Sequence, residues 1–155
     1  MKYIRILISI AIAQMAGIIG SSSMPINING WYTILTRPEL APPNWVFGPV
    51  WIVLYTLMGF AAFLIWERRK FDPRATLALW VYGVHLVLNA VWSLIFFGMQ
   101  NPRLAFFEIL LLDVFAVATI VLFWRISKPA GLILLPYVTW LFFATYLNYT
   151  FWVLN

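Results

Sequence analysis

Five stretches of the chain are almost continuously apolar, and short runs rich in charge, Pro, Gly or Asn separate them. They cover about 3–24, 45–66, 75–98, 103–124 and 130–154. Each reaches the roughly 20 residues that a helix needs to cross a bilayer. Pro25 and the run 27–30 end the first stretch, and 67–74 (ERRKFDPR) ends the second. Gln100-Asn101-Pro102 ends the third and Ser127-Lys128-Pro129 the fourth. Pro49 falls in the first turns of the second stretch, where a missing N–H costs least. Pro136 falls inside the fifth, where it predicts a kink. The pattern predicts an all-α integral membrane protein, one domain over residues 1–155, built as a bundle of five transmembrane helices. Its one long connection, about 25–44, joins the first two helices.

Composition supports that reading. Apolar residues make up 64% of the 155 and charged residues 10%, against about 25% charged in a soluble domain. Without cysteine there is no disulfide, thiol nucleophile or thiolate metal site. The net charge of +5 sits in short loops, where it sets topology; no nucleic-acid partner is expected. Lys2, Arg5, Arg68, Arg69, Lys70, Arg74, Arg125 and Lys128 fall on one side, and only Arg37 and Arg103 on the other. The positive-inside rule then puts the N-terminus in the cytoplasm and the first loop outside, in a cytoplasmic (inner) membrane. Lys2 and Arg5 before an apolar run imitate a signal peptide. The run extends to Met24 with no sharp Ala-x-Ala site, so a retained first helix is expected.

The stretch 31–51, WYTILTRPELAPPNWVFGPVW, holds four of the nine prolines and three of the nine tryptophans. So stiff and aromatic a connection is read as a lid over a cavity in the outer half of the bundle. At 1.5 Å of rise per residue, Trp51 lies roughly 9 Å below the outer edge and Asn89 roughly 13 Å. His85, Asn89 and Trp92 share one face of the third helix, and Trp51 and Tyr55 one face of the second. Trp140, Ala144, Leu147 and Asn148 lie along the fifth. Aromatic walls with a few polar groups suit a ligand pocket, whereas interhelical hydrogen bonding is the alternative for each residue taken alone.

The remaining chemistry is sparse. His85, the only histidine, is read as a neutral packing residue, and no metal-ligand cluster is present. Glu108 and Asp113 are the acids inside a span, five residues apart and on different faces, so they make a poor acid/base pair. Trp66, Trp80, Trp124 and Trp152 read as interfacial belt residues; Trp31 and Trp45, like Trp51, Trp92 and Trp140, do not. Ala75, Ala78, Gly83, Ala90 and Ser93 give the third helix a small surface, suited to close packing or a dimer. No P-loop, nucleophile elbow, HExxH or dinucleotide fingerprint is present, and no internal repeat supports a secondary transporter.

WYTILTRP, PPNWVFGPVWIVLY, LNAVWSLIFFG and LLPYVTWLFFATYLNYTFWVLN together resemble the translocator protein / tryptophan-rich sensory protein family, over nearly the whole chain. The resemblance implies a five-helix bundle, commonly a homodimer, that binds porphyrins such as protoporphyrin IX and, in some members, sterols and benzodiazepine-type ligands. It implies a pocket under the first loop at Tyr32, Pro42, Trp51, Asn89, Trp140, Ala144 and Leu147. His85, Trp92, Tyr55 and Asn148 are secondary candidates. It implies no required cofactor, with porphyrin as ligand. Some bacterial relatives degrade porphyrins in light, a chemistry that maps onto Trp51 and Trp140. His85 stands where the family usually has Gln. No basic residue follows Leu147 and Tyr149, so the cholesterol-contact pattern is incomplete. Three functions follow: a tetrapyrrole sensor or carrier, a light- and oxygen-dependent porphyrin-degrading enzyme, and a proton-coupled transporter using Asp113.

Overall fold

The computed structural model describes residues 2–155, with only the backbone considered at Pro25 and Ile26. Five helices are long and apolar enough to cross a membrane: Lys2–Ser23, Asn44–Arg68, Arg74–Gly98, Pro102–Ile126 and Lys128–Leu154. They form a multi-pass membrane bundle. Each end lies close to the break that Pro, Gly or charge predicts.

The first span is α1 (Lys2–Gly20), which tightens into a 3₁₀ turn at Ser21–Ser23 and continues as α2 (Met24–Ile28). A short α3 (Trp31–Ile34) follows. The expected long loop is therefore partly helical, and its longest irregular run is 35–43. The second span is α4 (Asn44–Arg68). The third is α5 (Arg74–Ser93), whose last turn widens into a π turn at Leu94–Gly98. That wider turn lets two consecutive residues, Phe96 and Phe97, both bury. The fourth is α6 (Pro102–Ile126), started by Pro102 at its first position and capped by Asn101, whose Oδ1 accepts from Leu104 N at 2.9 Å.

The fifth span breaks. It runs as α7 (Lys128–Ile133) and α8 (Leu135–Leu154), interrupted at Leu134. Pro136 is the cause: it has no N–H to give the preceding turn, and its ring crowds the carbonyl four residues back. The break separates two packing partners. The short α7 packs against α4, whereas the long α8 leans on α6 and touches α4 only sparingly. Around the bundle, α1 lies against α4 and α5, α5 against α6, and α6 against both halves of the fifth span.

Small residues bring the helices close at one end. A Cβ at Gly59 of α4 would fall 2.5 Å from the Ile10 Cα of α1, so only glycine permits this crossing. Ala61, Ala62, Ala75, Ala78 and Ala130 are buried together in the bundle core, and Arg5 binds Glu67 at 2.6 Å between α1 and α4. Of the small surface on the third span, Ala75, Ala78 and Ala90 are thus used inside the bundle.

Candidate ligand-binding site

At the other end α4 and α8 part, and a cavity of about 320 Å³ lies between α1, α4, α5 and α8. Trp51, Tyr55 and Phe47 line it from α4, Asn89 and Trp92 from α5, and Trp140 and Ala144 from α8. None of its lining residues is charged. Phe47 meets Trp140 edge to face at 6.3 Å, and Trp51 lies 5.6 Å from Tyr55.

The wall from the first span and the start of α2, with Gln14, Gly17, Ile18, Gly20, Ser21 and Met24, is absent from the sequence-based set. An apolar first helix reads simply as a span; the one signal was its small and amide residues at helical spacing. Gly17 has a specific task. A Cβ there would fall 2.5 Å from the Tyr55 ring, so its absence lets Tyr55 lie between α1 and α5. Gln14 Nε2 donates to Ile52 O at 2.9 Å and Thr56 Oγ1 at 3.0 Å, tying α1 to α4. Above that tie the cavity is open between the two helices, where Ile18 and Ile52, 67% and 60% exposed, stand on its rim.

Tyr32 and Leu147 line a separate cleft of about 30 Å³, which shares Phe47, Trp92, Phe97 and Ala144 with the main cavity. Tyr32 is buried among Phe96, Phe97 and Phe151, with centroids 6.4, 5.8 and 5.1 Å away. Its phenol is pushed above the ordinary tyrosine range by burial, an effect partly offset by the Arg37 guanidinium, which stacks 5.6 Å from the ring. Pro42 lines neither space; its carbonyl accepts from Arg37 Nη2 at 2.8 Å. The irregular segment is fastened by Asn155. Its Oδ1 accepts from Thr36 N at 2.8 Å and its Nδ2 donates to Thr36 O at 3.1 Å.

The polar residues divide by what they bond. Tyr55 OH donates to Asn89 Oδ1 at 2.6 Å, Asn89 Nδ2 donates to Tyr137 OH at 2.8 Å, and Tyr137 OH lies 2.6 Å from His85 Nε2. Only Tyr55 and Asn89 of these four reach the cavity wall; His85 and Tyr137 sit behind it. Tyr137 was not singled out from sequence, because one tyrosine in an aromatic helix carries no spacing signal. Trp92 Nε1 donates to Asn148 Oδ1 at 2.8 Å, and Asn148 Nδ2 donates to Pro102 O at 2.7 Å. Asn148 thereby joins α8 to α5 and α6, lining the small cleft but not the main cavity.

The acids lie elsewhere. Thr145 Oγ1 is 3.0 Å from Asp113 Oδ2, while neither carboxylate oxygen of Glu108 has a partner among the described residues. Neither acid lines either space. No group of His, Asp or Glu side chains among the described residues is placed to hold a metal. Trp45 is 75% exposed and faces outward like a belt residue, and Trp31 packs edge-on against Phe96 at 5.8 Å.

Comparison with known proteins places this arrangement among relatives. The model of the TspO/MBR family matches residues 9–153. A "Tryptophan-rich protein TspO" of Chlorobaculum tepidum is 37% identical, covering 99% of this chain and 98% of its own. One of that name from Archaeoglobus fulgidus is 36% identical over 100% of this chain and 99% of its own. The "Translocator protein" of Homo sapiens is 42% identical over 79% of this chain and 73% of its own.

Proposed function

The chain belongs to the TspO/MBR family, and from that premise we propose that it binds a tetrapyrrole of the protoporphyrin IX type in the cavity beneath its first loop, as a sensor or carrier. The observation that carries this reading is the cavity wall: Trp51, Trp92, Trp140, Tyr55 and Phe47 around an uncharged space. Flat π-faces stack on a flat macrocycle, and Asn89 and Gln14 supply the few polar groups that orient it. The volume of about 320 Å³ is at the small end for ligand pockets, about 300–1,000 Å³. A tetrapyrrole therefore displaces the Trp92 and Phe97 side chains and merges the cavity with the cleft under Tyr32. Its ionised carboxylates stay at the rim, since an unpaired charge in an apolar wall is costly.

Titration with protoporphyrin IX, read by tryptophan fluorescence, tests this. Saturable quenching that weakens in Trp51→Phe and Trp140→Phe is the expected result. Unsaturable quenching, or quenching identical in both variants, refutes it.

The placement of Trp51 and Trp140 around one cavity favours a second reading, oxidation of a photoexcited bound porphyrin. Illumination discriminates: loss of porphyrin absorbance no faster than with free tryptophan in detergent removes it. Proton-coupled transport through Asp113 gains no support, since Asp113 lines neither space. The orientation belongs to the proposal as well: N-terminus in the cytoplasm, first loop outside, in a cytoplasmic membrane. Cysteine labelling at Glu39 and Lys70 from each side of intact cells checks it. A homodimer in the bilayer is part of the same reading, tested by cross-linking in native membranes.

A further inference from the structure

Two tyrosines flank Trp51. Tyr55 lies 5.6 Å from the indole, and Tyr137 lies 6.5 Å from it on the side away from the cavity. Their hydroxyls differ in one respect. Tyr55 donates to an amide oxygen, Asn89 Oδ1, at 2.6 Å. Tyr137 accepts from Asn89 Nδ2 and sits 2.6 Å from an imidazole nitrogen, His85 Nε2. The protons assign themselves. A phenol carries one proton; with its oxygen already accepting from Asn89, that proton goes to His85 Nε2. The alternative, His85 Nε2–H donating to Tyr137, leaves the phenol proton unused as well as the buried Nδ1. With the proton on Tyr137, the one atom of this pair left without a partner among the described residues is His85 Nδ1. The His85 ring and Tyr137 are both almost fully buried, so no bulk water competes for the proton.

We propose that Trp51, Tyr137 and His85 form a proton-coupled relay that moves an oxidising equivalent from the cavity wall to a buried tyrosine. A photoexcited tetrapyrrole or other aromatic photooxidant in the cavity takes one electron from Trp51 and becomes its radical anion, leaving the indole radical cation. One electron then passes from Tyr137 to Trp51, and the Tyr137 O–H bond breaks as its proton transfers to His85 Nε2. The products are neutral Trp51, the neutral Tyr137 phenoxyl radical and the His85 imidazolium; charge and electrons balance. An oxidised phenol is a strong acid and must lose its proton to persist. Tyr137 has a base in place and Tyr55, although nearer, has only an amide oxygen. The relay holds the radical away from oxygen and ligand, and electron return restores the proton to Tyr137. It prevents covalent oxidation of Trp51 under illumination.

The role of ligand rests on the tetrapyrrole reading, so the experiment uses two oxidants on the full-length protein in detergent: bound protoporphyrin IX under illumination, and soluble ruthenium tris-bipyridine with a sacrificial acceptor. Radicals are followed by transient absorption and by EPR with ring-deuterated tyrosine. The expected result is a tyrosyl signal that is lost in Tyr137→Phe and retained in Tyr146→Phe, an exposed tyrosine that lines neither space. In Tyr137→Phe, Trp51 also gains oxygen faster by mass spectrometry. His85→Gln keeps a hydrogen-bond acceptor for the phenol but not a base, so a merely structural role leaves the signal intact there. The relay predicts instead that tyrosyl formation slows about 100-fold, the lower end of what a positioned base contributes. No tyrosyl signal with the ruthenium oxidant, or the same signal in Tyr137→Phe or His85→Gln, overturns the relay. A signal with ruthenium and none with protoporphyrin IX supports the relay and overturns the tetrapyrrole reading instead.

Discussion

The two ends of the bundle are made of the same apolar amino acids and behave in opposite ways. At the Arg5–Glu67 end, α7 packs on α4, Gly59 lets α1 cross at backbone distance, and alanines fill the seams. At the other end α8 leaves α4, the side chains are Trp, Tyr and Phe, and about 320 Å³ stays open. The difference teaches that side-chain size and one proline decide where a membrane bundle is solid. Small residues let helices close up. Large flat ones, attached to a helix bent at Pro136, line a space without filling it.

The sharpest way to break the comparison is at the solid end. Gly59→Ile drives a branched side chain into the backbone of Ile10 and is expected to destabilise by about 3 kcal/mol or more. Thermal unfolding in detergent checks it; an unchanged Tm means the crossing is looser than described. Next comes the shared wall. Asn89→Leu strands the Tyr55 hydroxyl and removes a donor to Tyr137, at a cost of about 1–3 kcal/mol. Double-mutant cycles with Tyr55→Phe are expected to recover part of that loss.

At the open end, effects fall on binding. Ala144→Phe fills space common to the cavity and the cleft. Ligand affinity is expected to fall about ten-fold or more, or roughly 1.4 kcal/mol, with little change in Tm. Pro136→Ala restores the missing N–H and straightens the fifth span, so affinity should drop a few-fold while stability holds. Equal affinity in that variant would show that the break does not create the space. The smallest effect belongs to the roof. Asn155→Ala removes both bonds to Thr36, a loss of about 1 kcal/mol, read as faster ligand release. Tyr32 adds a pH signature. Its folded pKa is raised by burial, so its docking is intact below the ordinary tyrosine value, about 10. Docking is lost as pH rises through the folded value, and ligand release should accelerate only in that alkaline range.

How far the sequence was legible varied with the kind of feature. Spans were plain, because an uninterrupted apolar run of about 20 residues has few other uses, and their ends fell at the breaks. The kink at Pro136 was readable because its cause is local. On the site, helical spacing on α4, α5 and α8 picked out Trp51, Tyr55, Asn89, Trp92, Trp140 and Ala144, which the fold brings to one space. It did not separate Tyr32 and Leu147 into a second cleft, keep Pro42 off the walls or bring in the α1 wall. Those depend on how far helices stand apart and on how α2 and α3 fold the loop back. Trp45, not read as a belt residue from sequence, is 75% exposed, because sequence position does not say which way a ring faces.

The sequence by itself determined that this chain lives in a membrane as five helices, where they start and stop, and that an aromatic connection follows the first. These are properties of hydropathy and backbone chemistry, written residue by residue. Only the tertiary structure decided that α1 completes the cavity, that Gly17 makes room for Tyr55, and that Tyr137 stands between Asn89 and His85. Asn89 and His85, 48 and 52 positions from Tyr137 in sequence, meet it only when helix axes, rotations and a proline break are set together. No local rule encodes that joint solution, and the hydrogen bonds that express it exist only in the packed bundle.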